Sequence, residues 1–341
     1  MTFTDRWAGV LWRGWSILGF FALVLVGCSG KTPTADAPAA TPTKAVSSAV
    51  AGVARPPLPS GRILFNIEHE GTPSQPAYID STGIHVIPVP PDSSLAHPVW
   101  ASSGGIIFDS ERAGPRHIYR MEVDGSHVTQ LTAGADSQDS PTVSPNGSLI
   151  VYGTAAGHGR DLGLHQANAD GMRIHALTKA SPAVGIQSGD DGATFSPDGH
   201  WIAYFHVVDA AKGLAGLWVM RSDGSHARQL TANSTSPSYP RWSPNGKQIL
   251  FTEHEDVPPV SHPLWVIDVA GGAPRALTNT NDPGTAQEGD WSPDGRQIVF
   301  KYYRPGWDHN ELRLINADGS NLRTLWVSPH LRTAQTPDWA N

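Results

Sequence analysis

Cysteine is almost absent from this chain, because Cys28 is the only one among 341 residues. A disulfide within the chain is therefore excluded, and the fold must be held together by packing. The sequence after the N-terminal segment has no run of Lys or Arg, and the formal net charge is −7, so we expect no nucleic-acid partner. Long helical patterns are also missing beyond that segment, and the 35 Gly and 29 Pro recur at short intervals. This composition favours strands and turns.

The N-terminus contains the parts of an export signal. Two arginines precede an apolar stretch from Trp15 to Val26, which is shorter than the roughly 20 residues that cross a bilayer as a helix. An uncleaved transmembrane anchor is the alternative, and the length argues against it. The sequence Leu25-Val26-Gly27-Cys28 resembles a bacterial lipobox, in which the cysteine becomes the lipidated first residue. We therefore expect residues 1–27 to be a lipoprotein signal peptide and Cys28 to carry lipid.

Residues 28–58 continue as a tether rich in Ala, Pro and Thr, which buries little apolar surface. Ser29 and Gly30 follow the cysteine, so no Asp retention signal is present. In a cell with two membranes we expect an exported protein anchored to the periplasmic side of the outer membrane. In a cell with one membrane the same lipid would hold it on the outer face of the plasma membrane.

The rest of the chain repeats a motif of Ile, any residue and an aromatic residue. Successive aromatic residues are 43 to 52 positions apart, which fits one blade of a β-propeller. The six aromatic residues are Phe65, Phe108, Tyr152, Tyr204, Phe251 and Phe300.

Two turn signals and a closing dipeptide complete the repeat. Ser-Pro-Asn-Gly or Ser-Pro-Asp-Gly precedes four of the aromatic residues, and Asp-Gly followed by Leu-Thr comes after several of them. Both turns join antiparallel strands, so each repeat predicts four strands. Radial packing buries both faces of such sheets. We therefore predict that residues 59–341 form an all-β, six-bladed propeller, with a linear stack of sheets as the alternative.

The two ends of the chain predict how the ring closes. The repeat contains six sets of outer strands, but only five inner strands that end in a bulky residue precede them. The five bulky residues are Trp100, Val143, Phe195, Trp242 and Trp291. The C-terminal sequence Thr336-Pro-Asp-Trp-Ala-Asn341 copies Tyr239-Pro-Arg-Trp-Ser-Pro244. The C-terminal strand should therefore complete the blade that begins at Arg62.

The repeat resembles the propeller repeats of the TolB family. The resemblance rests on Trp-Ser-Pro-Asp-Gly-x-x-Ile-x-Phe from Trp291, on Ile-Tyr-Arg-Met-x-x-Asp-Gly-Ser from Ile118 and on Leu-Thr, and it covers Arg62 to Asn341. It implies an envelope location and a binding role without catalysis, because TolB binds the peptidoglycan-associated lipoprotein through its propeller. TolB has an α/β domain where this chain has its tether, so the resemblance implies a lipoprotein member lacking that domain.

Catalytic motifs are incomplete. His69-Glu70 and His254-Glu255 cannot begin a His-Glu-x-x-His zinc site, because Pro occupies both fifth positions. The alternative function is a glycan-active lyase or hydrolase with a metal on channel His and carboxylate groups. Its densest local cluster is Glu253, His254, Glu255, Asp256 and His262. No matched catalytic set supports it, so we predict no catalytic residue, metal ligand or cofactor.

One polar residue per repeat lies three or four positions before the bulky end of the inner strand. Equivalent positions in a ring converge on one mouth of the channel, so we predict a polar, net acidic site for an envelope protein or peptidoglycan-associated partner on a monomeric propeller. A rim that binds only water is the alternative. The six residues, called the entry ring below, are His97, Asp139, Asp191, Tyr239, Glu288 and Gln335.

Overall fold

The computed structural model describes residues 60–340 with nine short gaps, at 70–73, 90–93, 156–162, 179–189, 210–213, 233–235, 255–261, 308 and 329–330. All of the described residues belong to one compact unit, Ala54–Asn341. The predicted signal peptide and Cys28 lie outside them. At some strand ends only the backbone is described, and these positions include Asp191, Glu253, His254 and Gln335.

The described residues form strands. In chain order they are β1 (Arg62–His69), β2 (Gln75–Asp80), β3 (Gly83–Val86), β4 (Leu95–Trp100), β5 (Ile106–Ser110), β6 (His117–Met121), β7 (Thr129–Gln130), β8 (Ser137–Val143), β9 (Leu149–Ala155), β10 (Gly163–Asn168), β11 (His175–Ala176), β12 (Asp191–Phe195), β13 (Trp201–Asp209), β14 (Leu214–Arg221), β15 (Arg228–Gln229), β16 (Ser236–Trp242), β17 (Gln248–His254), β18 (Leu264–Asp268), β19 (Arg275–Ala276), β20 (Thr285–Trp291), β21 (Gln297–Tyr303), β22 (Glu311–Asn316), β23 (Arg323–Val327) and β24 (Leu331–Ala340). No helix in this described part has the length and hydrophobicity needed to cross a membrane.

The strands make six antiparallel sheets of four, which confirms the predicted propeller. Blade 1 has the order β24-β1-β2-β3, and blades 2 to 6 take the remaining strands four at a time in chain order, with β4, β8, β12, β16 and β20 innermost. Each inner strand contacts the next around the ring, including β20 with β24 and β24 with β4. The C-terminal strand therefore closes the ring as predicted, with Ile63 opposite Trp339 and Leu64 opposite Asp338.

The core lies between the blades. The six aromatic residues of the repeat are all at most 3% exposed, and apolar clusters fill the spaces between neighbouring sheets. The interface between blades 6 and 1 is built in the same way, because Ile63 and Trp339 pack against Val299 and Leu314. The closing blade is thus packed as a full member of the ring.

The turn and closing signals have identifiable hydrogen bonds. In the Ser-Pro turns the glycine N–H donates to the serine carbonyl at 2.8 Å, as Gly147 does to Ser144. The threonine of each Leu-Thr pair accepts a backbone N–H from the third strand of its blade, as Thr132 does from Ile118 at 3.0 Å. The repeat therefore encodes bonds that fix strand ends and turns.

Glycine of the Asp-Gly turn is needed for contact with the preceding blade. Gly171 has a φ of +82°, and a Cβ atom there would lie 1.8 Å from the carbonyl oxygen of Leu131. Only glycine tolerates both the left-handed backbone and this approach. Gly125 makes the corresponding approach to Pro88, so the turn sets the distance between blades.

Candidate functional site

Every inner strand is interrupted by a bulge that changes the direction of its side chains. The register shifts within each inner-strand pairing, for example between Gln287 and Asp290 on β20. A bulge leaves an extra residue and bends the strand. In five blades one residue of the bulge has a left-handed backbone, namely His97, Ser140, Gly192, Tyr239 and Glu288, with φ between +44° and +63°.

The bulges show that the entry ring is staggered rather than strictly equivalent. His97, Tyr239 and Glu288 occupy the left-handed bulge position. Asp139 and Asp191 each lie one residue earlier, before Ser140 and Gly192. Gln335 pairs with Asn66 ahead of the bulge on β24, as Gln287 pairs with Lys301 on β20. All six lie in the first part of the inner strands, at the end of the channel called the entry end below.

Charges on the second strand of blade 2 and in the loop that follows it balance part of the entry ring. His97 Nδ1 lies 2.8 Å from Asp109 Oδ1, and the Asp109 side chain is fully buried. The backbone N–H of Ser140 also donates to Asp109 Oδ1, at 3.2 Å. Arg116 approaches Asp109 Oδ2 at 3.4 Å. Burial opposes the charge of Arg116, yet the carboxylates of Asp109, Glu111 and Asp139 raise its pKa above the usual value. Acidic Asp139 therefore faces a nearby cation.

Glu288 is balanced in the same way. Lys301 Nζ lies 3.4 Å from Glu288 Oε1, and the two side chains are only 10% and 7% exposed. The described part of the entry ring is thus polar but largely charge-paired, so the predicted acidity is weaker than the residue types suggest. Repeat positions alone could not reveal this, because Asp109 and Lys301 lie on other strands and Arg116 lies in the loop between β5 and β6.

The opposite, exit end of the channel holds a second ring that the sequence analysis missed. At the first paired position after each bulge, one side chain per blade lines a cavity of about 170 Å³. Blades 2, 3 and 4 contribute neutral side chains, whereas blades 5, 6 and 1 contribute charged ones. This exit ring consists of Val99, Thr142, Thr194, Arg241, Asp290 and Asp338.

The two aspartates of the exit ring join neighbouring blades. Asp290 Oδ2 accepts the backbone N–H of Trp339 at 2.7 Å, and Asp338 Oδ2 accepts that of Trp100 at 2.6 Å. Blades 6, 1 and 2 are therefore linked in succession around the closing strand. Arg241 Nε lies 3.9 Å from Asp290 Oδ1.

Their buried positions make it unfavourable for Asp290 and Asp338 to be ionised together. Burial and then the like charge of Asp338 raise the pKa of Asp290 to about 7, although Arg241 and two backbone N–H groups oppose the shift. Burial also raises the pKa of Asp338 above its usual value. Perturbed carboxyl groups in a cavity mark a candidate site, and here they also hold the ring closed.

A sequence signal for the exit ring did exist. Arg241, Asp290 and Asp338 each stand directly before a tryptophan at or next to the end of an inner strand, and a charged residue that is buried there needs a partner. The predicted site lay three or four positions before the strand end, at the entry ring, and not at the residue directly before the tryptophan.

Of the five residues considered for a metal, only His262 has a described side chain. Asp256 and Glu255 lie outside the described residues, and only the backbones of Glu253 and His254 are described. The carbonyl oxygen of His262 accepts the N–H of Ala286 at 2.8 Å. Within the described ranges, no group of three or more His, Cys, Asp or Glu side chains could hold a metal ion.

These features define a closed, six-bladed propeller with a polar channel. A model of the TolB beta propeller domain matches residues 167–341, more than half of the chain. The chain therefore belongs to the TolB β-propeller domain family.

Individual relatives agree with this assignment. The chain is 24% identical over 265 residues to the Tol-Pal system protein TolB of Francisella tularensis (strain WY96-3418), covering 76% of this chain and 58% of the relative. It is 28% identical over 172 residues to a TolB homolog of Chlorobium luteolum, covering 50% and 35%. The chain thus spans less than two thirds of the length of these relatives. The crystal structure of TolB from Acinetobacter baumannii overlaps with a TM-score of 0.64 at 18% identity, covering 83% of this chain and 68% of that one, which shows the shared fold.

Proposed function

We propose that this chain is an exported, lipid-anchored and non-catalytic envelope protein, whose monomeric propeller binds a protein or peptidoglycan-associated partner at the entry end. One observation carries the proposal, namely that ionisable groups of the entry ring with described side chains are already engaged in structural contacts. His97 is held by Asp109, and Glu288 by Lys301. A general base or nucleophile needs to reach a substrate, whereas a paired, preorganised polar ring suits protein recognition.

The relatives support an envelope role. The Francisella tularensis relative is named as a protein of the Tol-Pal system, and the lipobox at Cys28 supports export and anchoring. Multiple acyl chains on one cysteine provide stable membrane attachment. A binding propeller held at the envelope surface by a tether could then reach partners in the periplasm or cell wall.

The test is capture of the partner by the entry ring. The double variant Asp139→Ala and Asp191→Ala removes two acidic side chains from this ring. We expect it to recover markedly less crosslinked envelope partner than the unchanged protein after mild crosslinking of intact cells. Unchanged recovery would remove the entry ring from the proposal.

A matched control removes equal charge elsewhere. Glu122 and Asp268 are exposed acidic residues outside the entry ring. The double variant Glu122→Ala and Asp268→Ala should capture as much partner as the unchanged protein. Thermal melting of both double variants checks that any loss of capture is not a loss of fold.

A further inference from the structure

The exit cavity offers donors and acceptors on one side and a neutral wall on the other. Its charged side comes from Arg241, Asp290 and Asp338 on blades 5, 6 and 1, and aromatic rings contribute to the rest of the lining. The aromatic members are Trp100, Phe195 and Trp242. A concave site with a few convergent polar groups among apolar side chains is typical of a small-molecule pocket.

Arg241 has more donors than its described contacts use. Its side chain is 16% exposed, its Nε lies 3.9 Å from Asp290 Oδ1, and one terminal nitrogen donates to the carbonyl oxygen of Pro240 at 3.3 Å. A guanidinium carries five N–H donors in a planar fork that matches a carboxylate. Because Arg241 lines the cavity, an anionic group bound there would satisfy the remaining donors.

The two aspartates of the exit ring favour a cationic group, in contrast to Arg241. Asp290 and Asp338 each give one carboxylate oxygen to a backbone N–H, and Asp338 Oδ1 has no hydrogen bond among the described residues. Since burial raises the pKa of both groups, and the charge of Asp338 adds to the rise for Asp290, the pair resists full ionisation near neutral pH. Together with Arg241, the three groups then carry a net charge between zero and −1.

We propose that the exit cavity binds a small zwitterion of the amino-acid class, with its carboxylate on Arg241 and its ammonium group at Asp290 and Asp338. A simple cation would leave the guanidinium unsatisfied, and a simple anion would meet the carboxylates without compensation. This site is at the opposite end of the channel from the entry ring, so it stands apart from partner capture.

The volume limits the ligand. An apolar cavity of about 150 Å³ holds benzene, with six heavy atoms, so the cavity of about 170 Å³ suits a compact zwitterion. Alanine and glycine betaine are of this size. Side chains as large as that of tryptophan exceed it.

Isothermal titration of the full-length protein in detergent tests the site. Alanine, propionate and ethylamine form a matched series, because each analogue lacks one charged group of alanine. We expect alanine to bind with one-to-one stoichiometry and both analogues to bind at least about tenfold more weakly. No binding of alanine or glycine betaine up to about 10 mM, or equal binding of either single-charge analogue, would overturn the proposal.

Variants then locate the binding. Asp338→Asn and Arg241→Gln should each weaken alanine binding at least about tenfold, whereas Asp294→Asn on an adjacent exposed turn should not change it. If Arg241→Gln fails to fold, Arg241→Lys keeps the charge but loses the planar fork, and it should also weaken binding. Unchanged affinity in a folded Asp338→Asn or Arg241→Lys protein would place alanine elsewhere and refute the site.

Discussion

Raising the pH should loosen the closure of the ring through Asp290. Burial and the nearby charge of Asp338 raise the pKa of Asp290 from 3.8 to about 7, so the folded state holds this proton more tightly than the unfolded chain. Stability from the protonated group is therefore fully present below the unfolded pKa and is lost as the pH rises toward 7. The free energy of unfolding should fall by up to about 4 kcal/mol across that range, given the shift from 3.8 to about 7.

Replacing Asp290 with Asn removes this titration but keeps an oxygen that can accept the Trp339 N–H. The variant should match the unchanged protein near pH 4 and exceed its stability at pH 8. Urea unfolding followed by the fluorescence of the 12 tryptophans gives the free energy at each pH, provided that the denaturant slope stays constant.

Two further variants show whether the pH dependence of stability comes from Asp290 and Asp338 or from carboxyl groups in general. Asp338→Asn removes the like charge and should flatten part of the same pH dependence, because burial is the larger cause of the shift of Asp290. Asp294→Asn serves as the control, because hydrogen bonding by Ser292 lowers the pKa of Asp294 and restricts its influence to more acidic pH. Parallel stability curves for the unchanged protein and Asp290→Asn between pH 4 and 8 would refute the reasoning.

Two other predictions rest on the fold, and a third rests on the lipobox at Cys28. Deleting residues 336–341 removes both the Asp338 bond to Trp100 and the packing of Trp339, so the protein should aggregate or lose its cooperative melting transition; a melt like that of the intact chain would contradict closure by β24. Gly171→Ala should destabilise the protein by about 2 kcal/mol or more in chemical denaturation, whereas Gly271→Ala, where no atom lies within 4 Å of the new Cβ, should cost less. Cys28→Ala should move the protein from the membrane to the soluble fraction upon fractionation of cells, and retention at the membrane would contradict lipidation.

Much of the fold could be predicted because the residue types in the repeat indicate which positions are buried. The aromatic residue in each copy must lie between two blades, and Phe65 and Phe300 are buried as their positions in the motif imply. The copy of an inner-strand sequence at Thr336–Asn341 predicted the closing strand, and its pairing with β1 confirms that prediction. Local turn chemistry and the number of copies were sufficient for these conclusions.

The candidate site was less predictable because bulges and cross-strand pairs are not visible in a repeat count. The bulge lies at the same place in each inner strand, and Asp139 and Asp191 stand one position before the residue equivalent to His97. Lys301, which balances Glu288, lies on a neighbouring strand. Only the pairing register reveals these relations, since the residues are separated along the chain.

The most direct test of partner binding is site-specific photo-crosslinking in living cells. A photoreactive phenylalanine analogue replaces Tyr239, a half-buried member of the entry ring, and in a second strain it replaces Leu322, which is 50% exposed outside that ring. We predict one defined crosslinked product from Tyr239, containing an envelope protein or peptidoglycan-associated partner, and no such product from Leu322. The same products from both positions, or none from Tyr239, would contradict the proposal that the channel entry is the binding surface.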